Sequence, residues 1–81
     1  MAEIEIEYCA PCRFGAEAVV TRRTLSDRLR EYREIDTVAV EPIDEDVFRV
    51  TVDGDRVWSV DPENRFDPIE AVAAVRSRLR S

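Results

Sequence analysis

Eighty-one residues suffice for one small domain, 1–81, with a single modest core, and leave little room for a separate catalytic domain. All twelve basic residues are arginine against eighteen acidic ones; the resulting net charge of −6 argues against nucleic acid as a partner, since that binding runs on phosphate neutralisation by clustered cations. There is no histidine, which removes the usual general base and the commonest zinc ligand.

The chain opens with strict alternation, Glu3-Ile4-Glu5-Ile6-Glu7-Tyr8, which predicts a strand with Ile4, Ile6 and Tyr8 on one face and three glutamates on the other. From Phe14 the apolar period lengthens to Phe14, Ala18, Leu25, Leu29 and Tyr32, with Arg22 on the same line, predicting an amphipathic helix to about Arg33. Thr37-Val38-Ala39-Val40-Glu41 alternates again as a second strand, which Pro42 is expected to end. A strand, a helix and a strand in this order make a βαβ unit with parallel strands. Val47–Val52 and Arg56–Val60 flank Asp53-Gly54, a two-residue hairpin signal, so the third and fourth strands are antiparallel. Asp67-Pro68-Ile69-Glu70 supplies an N-cap, a proline at the first helical position and a Glu at the third, opening a final helix through Ile69, Val72, Ala73, Val75 and Leu79. The order β-α-β-β-β-α with one apolar strand face predicts a two-layer α+β sandwich. Its four-stranded mixed sheet has both helices on one face and water on the other. Ile4, Ile6, Tyr8, Val38, Val40, Phe48, Val50, Val52, Trp58 and Val60 are the expected core strand residues, and Arg49 and Arg56 are expected to pair with Glu5 and its neighbours on the wet face.

The chemistry concentrates in Tyr8-Cys9-Ala10-Pro11-Cys12-Arg13-Phe14, where strand gives way to helix and where both cysteines lie. A disulfide closing so small a ring is worth only about 2 kcal/mol by chain entropy, so redox chemistry explains the spacing better than stapling. With Pro11 at the first helical position, Cys9 falls at the positive helix end beside Arg13, where free amides and the dipole favour a thiolate. Cys12, one turn into the helix, is expected to be the more buried and to close a disulfide after Cys9 has attacked a partner's sulfur. Cys9 and Cys12 are therefore the candidate catalytic residues of a thiol–disulfide oxidoreductase; no cofactor or metal is assigned.

Cys-x-x-Cys at the end of a first strand, opening the helix of a βαβ unit, is the thioredoxin-like redox signal. The chain more specifically resembles the selenoprotein W-like (Rdx) family. The match runs through Ile4–Cys9, Cys12 with Phe14, Val38-Ala39-Val40 with Pro42, Val47-Phe48 to Val50, Val52-Asp53-Gly54, Val57-Trp58-Ser59, Arg65-Phe66, Val75-Arg76 and Arg78-Leu79. The resemblance implies a thioredoxin-like fold and a thiol redox role, with protein disulfides or a low-molecular-weight thiol such as glutathione as partner. Some family members carry selenocysteine at the position of Cys12, which would make that position the better nucleophile. Two departures stand out. Ile43-Asp44-Glu45-Asp46 replaces a glycine-rich turn common among relatives, and its carboxylates, expected near the cysteines, would disfavour a thiolate and repel an anionic thiol cofactor. Asp46-Val47 also stands where thioredoxins proper place a cis-proline.

The rival reading is a non-catalytic module. The two cysteines could supply half of a four-ligand zinc site completed by a second subunit or by Asp44 or Asp46, or a partner could dock at the cysteine end on Trp58 or Phe66. The chain has no apolar run near the ~20 residues of a membrane span and no signal-peptide pattern at its start, so the expectation is a cytoplasmic monomer without membrane contact. The arginine-only, acid-rich composition resembles proteins of salt-loving microbes. Added salt should therefore stabilise the fold, because the Debye length shrinks from about 10 Å at 0.1 M to about 3 Å at 1 M. The melting temperature is expected to rise from 0.1 M to 2 M KCl, and an unchanged value would remove the halophile reading.

Overall fold

The computed structural model describes residues 2–12, 15–61 and 67–80. Strands β1 (Ala2–Cys9), β2 (Ile35–Ile43), β3 (Phe48–Val52) and β4 (Asp55–Val60) form one sheet in the order β2-β1-β3-β4; helices α1 (Gly15–Arg28) and α2 (Pro68–Arg80) pack against each other and against it. β1 runs parallel to β2 and antiparallel to β3, and β3 runs antiparallel to β4. This is the mixed, two-layer β-α-β-β-β-α architecture expected from the alternation.

Period-two burial in β1 produces the core directly. Ile4 and Ile6 are fully buried among Phe48, Val50 and Val52 of β3 and Leu25, Leu29, Val72 and Val75 from the helical side. Trp58, Val38 and Val40 pack at its margin, half-buried, because β2 and β4 are the sheet edges, and Tyr8, near the end of β1, is half-buried as well. Phe48 meets Trp58 edge-on at 6.0 Å between ring centroids, an arrangement that the ring quadrupoles favour.

Several boundaries differ from expectation for definite reasons. β2 continues through Pro42 to Ile43, since an edge strand bonded only to β1 can spare the N–H that proline lacks. α1 ends at Arg28, five residues short of the predicted Arg33: the amide of Leu29 still reaches the carbonyl of Leu25, but those of Tyr32 and Ile35 bond three residues back, a tightening that turns the chain into β2. The buried line of α1 is Ala18, Thr21 and Leu25, so Thr21 and not Arg22 faces the sheet, its hydroxyl donating to the Glu17 carbonyl at 2.8 Å. In α2 the capping is as predicted, with Asp67 Oδ1 accepting from the Ile69 amide at 3.0 Å, while Ala71 faces the core and Ile69 is exposed. The predicted helical contribution of Phe14 lies outside the described residues.

The hairpin between β3 and β4 turns at Asp53 (φ 53°) and Gly54 (φ 86°), two positive values that suit a turn twisted like its strands. Asp53 also ties this end of the sheet to β1: its amide donates to the Glu3 carbonyl and its Oδ1 accepts from the Glu3 amide, both at 2.9 Å. Asp53→Ala loses an acceptor and places a Cβ without a local polar partner in left-handed backbone, so it should cost about 1–2 kcal/mol. Asp53→Asn, which keeps an acceptor oxygen and tolerates that backbone, should cost well under half as much. Urea unfolding of the two variants checks the difference.

Candidate functional site

β1 ends at Cys9, and there the parallel neighbour brings Ile43 alongside, with the Ala10 amide donating to the Ile43 carbonyl at 3.0 Å. The chain then turns through Ala10-Pro11-Cys12, and a disulfide joins Cys9 to Cys12 across a Cα–Cα distance of 5.3 Å. Pro11 sits in this turn, ahead of α1 and not at its first position. Among the described residues the helix-pole argument for Cys9 is accordingly reduced to one local donor, the Cys12 amide, which lies 3.2 Å from Cys9 Sγ and would stabilise negative charge there. Arg13, the expected cationic neighbour, lies outside the described residues.

Burial of the two sulfurs is the reverse of that expected. Cys9, at the end of the central strand β1 and beside Ile43 of β2, is 1% exposed, whereas Cys12, in the turn, is only half-buried. An incoming group therefore meets Cys12.

The acidic segment between β2 and β3 lies where the sequence placed it. Ile43 is already beside Cys9, and the amide of Val47 bonds the carbonyl of Glu45 at 2.8 Å, a tight three-residue turn with Asp46 at its centre. Asp46 Oδ1 lies 3.2 Å from Cys12 Sγ and 3.7 Å from Cys9 Sγ, taking the place where thioredoxins proper carry proline. Arg49 of β3 holds the segment: its guanidinium bonds Glu7, directly opposite on β1, and lies 3.2 Å from Glu45. Those contacts raise the Arg49 pKa, the hydrogen bond to Glu7 contributing most. The pair Glu7 with Arg49 is the expected cross-strand pairing of Arg49 with the glutamates of β1, made with Glu7 in particular. Sequence reasoning placed Arg49 opposite the glutamates of β1 but missed its second partner, Glu45, which the turn before β3 brings within reach.

The open sheet face leads into the site and is negative. Partial burial, then repulsion from Glu41, Glu7 and Glu3, raises the Glu5 pKa above the ordinary carboxylate value. Cys9, Cys12 and Asp46 each offer one donor atom within 4.8 Å of the others, so a thiophilic cation could find three ligands in the reduced protein, one short of the four of a closed zinc site. Trp58 is engaged in the core margin, and Phe66, the other proposed docking anchor, lies outside the described residues.

A redox-capable cysteine pair at the end of the first strand of a small mixed sheet, with a helix following, places the molecule in the thioredoxin-like class. The chain belongs to the Rdx family, whose model matches residues 3–77. It is similar to a solved structure from Bordetella parapertussis (24% identity, TM-score 0.77, covering 95% of this chain and 96% of that one). It is likewise similar to a selenoprotein W-related protein from Vibrio cholerae (25% identity, TM-score 0.77, covering 94% of each chain). No curated protein matches the sequence.

The raised Glu5 pKa has a stability consequence with a definite sign. A carboxyl whose folded pKa exceeds its unfolded value destabilises the fold when ionised, and that penalty is relieved as pH falls through the folded value. Glu5→Gln should therefore melt above the native protein at pH 7, with the gap narrowing by pH 4. Equal melting temperatures at pH 7 would show that the open face carries no net repulsion at this position.

Proposed function

We propose that the protein is a thiol–disulfide redox protein whose Cys9 and Cys12 cycle between dithiol and disulfide, with protein disulfides or a low-molecular-weight disulfide as partner. The observation that carries this reading is the pairing of a buried and an accessible sulfur in one disulfide at the end of the central strand. Family membership agrees with it.

In the reductive direction the accessible Cys12 thiolate attacks one sulfur of a partner disulfide, forming a mixed disulfide and expelling the other sulfur as a thiolate. Cys9 then loses its proton and attacks Cys12 Sγ. The mixed bond breaks, the second partner thiolate leaves, and two electrons have passed from the cysteine pair to the partner. The Cys12 amide beside Cys9 Sγ stabilises the charge that develops on Cys9 in the second step. This order exchanges the roles expected from the sequence, where Cys9 attacked and Cys12 resolved. Access supports the exchange, since a sulfur 1% exposed cannot be reached in line by a second molecule's disulfide.

Cys9→Ser, which leaves Cys12 free and removes the resolving thiol, should accumulate mixed disulfides with partners severalfold more than Cys12→Ser does. Non-reducing electrophoresis of both variants after exposure to a disulfide reads the result. Equal trapping would show that access does not divide the roles, and the converse pattern would restore Cys9 as the attacking group. Zinc binding is the second reading, favoured only by the three converging donors; metal analysis of the reduced protein, compared with its disulfide form, separates the two.

A further inference from the structure

Charge is distributed unevenly along this molecule. Both helices run away from the cysteine end, and their arginines collect where they finish: Arg28, Arg30 and Arg33 at and beyond the end of α1, and Arg76, Arg78 and Arg80 in α2. Arg78 reaches Asp55 at 2.8 Å, which fixes the far end of α2 beside the Asp53-Gly54 hairpin, at the opposite end of the sheet from Cys9. Cations at helix C-termini are locally favourable, so the arrangement costs the helices nothing.

Among the described residues the cysteine end has the opposite sign. Glu7 and Glu41 face one another across β1 and β2 two residues before Cys9 and Ile43, and Asp44, Glu45 and Asp46 follow at once. Arg49 is shared between Glu7 and Glu45, so its single positive charge already faces two carboxylates. Glu41, Asp44 and Asp46 form no ion pair with any described residue, and Asp46 touches the half-buried Cys12 sulfur at 3.2 Å. Any second sulfur approaching Cys12 must therefore approach a carboxylate as well.

We infer that the dithiol reacts by preference with cationic disulfides, those flanked by ammonium or guanidinium groups, and discriminates against anionic ones such as oxidised glutathione. This rests on the redox reading above and names its substrate class. The reaction is the balanced exchange already described: the cysteine pair gives up two electrons to the substrate disulfide, which leaves as two thiols. Selectivity arises before the bond changes, in encounter and alignment. A negative mouth on a dipolar molecule raises the local concentration of cations and can change association rates by about 10–10³-fold, an effect that salt erodes.

The test compares oxidation of the reduced protein by cystamine, bis(2-hydroxyethyl) disulfide and oxidised glutathione. Each rate is divided by that of the same disulfide with dithiothreitol at the same pH, which cancels leaving-group chemistry. Trp58 fluorescence and circular dichroism confirm the fold in every buffer. At 0.1 M KCl the normalised rates should fall in the order cationic, neutral, anionic, with about tenfold or more between the extremes. The spread should contract severalfold at 2 M KCl and in a variant combining Asp44→Asn, Glu45→Gln and Asp46→Asn. A peptide disulfide flanked by lysines, run beside cystamine, shows whether a protein segment or a small amine is the better carrier of that charge. Equal normalised rates at 0.1 M overturn the inference while leaving the redox reading intact. A preference for glutathione also overturns it and would assign control to Arg13 and the start of α1. If none of the disulfides reacts, the redox reading falls and the inference falls with it.

Discussion

Strand β1 is hydrogen-bonded on both sides, to β2 along its whole length and to β3 from Ile4 to Tyr8, and everything of consequence in this molecule depends on that two-sided pairing. A central strand has no freedom to slip, because a one-residue shift would exchange Ile4 and Ile6 for glutamates in the core. Its end is therefore a defined point in space. Cys9 inherits that definition, and so do the two chain segments that arrive beside it, the end of β2 at Ile43 and the start of β3 at Phe48. The segment joining β2 to β3 must cross over the cysteine end, which is how a loop remote in sequence comes to place Asp46 against both sulfurs.

Covering only one face of the sheet shapes the electrostatics. The helices bury one side of β1, and its other side carries Glu3, Glu5 and Glu7 into water. Repulsion among these groups and Glu41 is what raises the Glu5 pKa after burial has had its effect. Arg49 relieves part of the strain by bonding across the strands to Glu7 and along its own chain to Glu45. One guanidinium therefore does two things: it pairs a central-strand charge and pins the acidic loop over the disulfide. Ion pairs as exposed as these contribute little to stability, at most about 1 kcal/mol, so the positional consequence is the larger one.

The two cysteines share a disulfide but not an environment. Cys9 belongs to the sheet and is sealed by it, with the Cys12 amide as its local donor; Cys12 belongs to the turn and meets solvent and a carboxylate. Thiol exchange needs this inequality, since one sulfur must receive the partner and the other must wait. The chain belongs to the Rdx family and shares its fold with the solved structures from Bordetella and Vibrio, while its acidic segment places Asp46 beside both sulfurs.

Local sequence determined the element order, the hairpin, the cap of α2, the one-sided core and the cysteine pair as the place of chemistry. These rest on interactions between residues close in the chain: alternation in β1, the Asp53-Gly54 turn, Asp67 before Pro68. Where elements end was less legible, because termination of α1 at Arg28 and passage of β2 through Pro42 depend on what lies next to them in space. Tertiary structure alone decided which sulfur is exposed, that Arg49 would choose Glu7 and Glu45, and that Thr21 would turn inward where Arg22 lay on the expected line. Each of these is set by a neighbour from another element, and burial or pairing across that distance has no periodicity for a sequence to display.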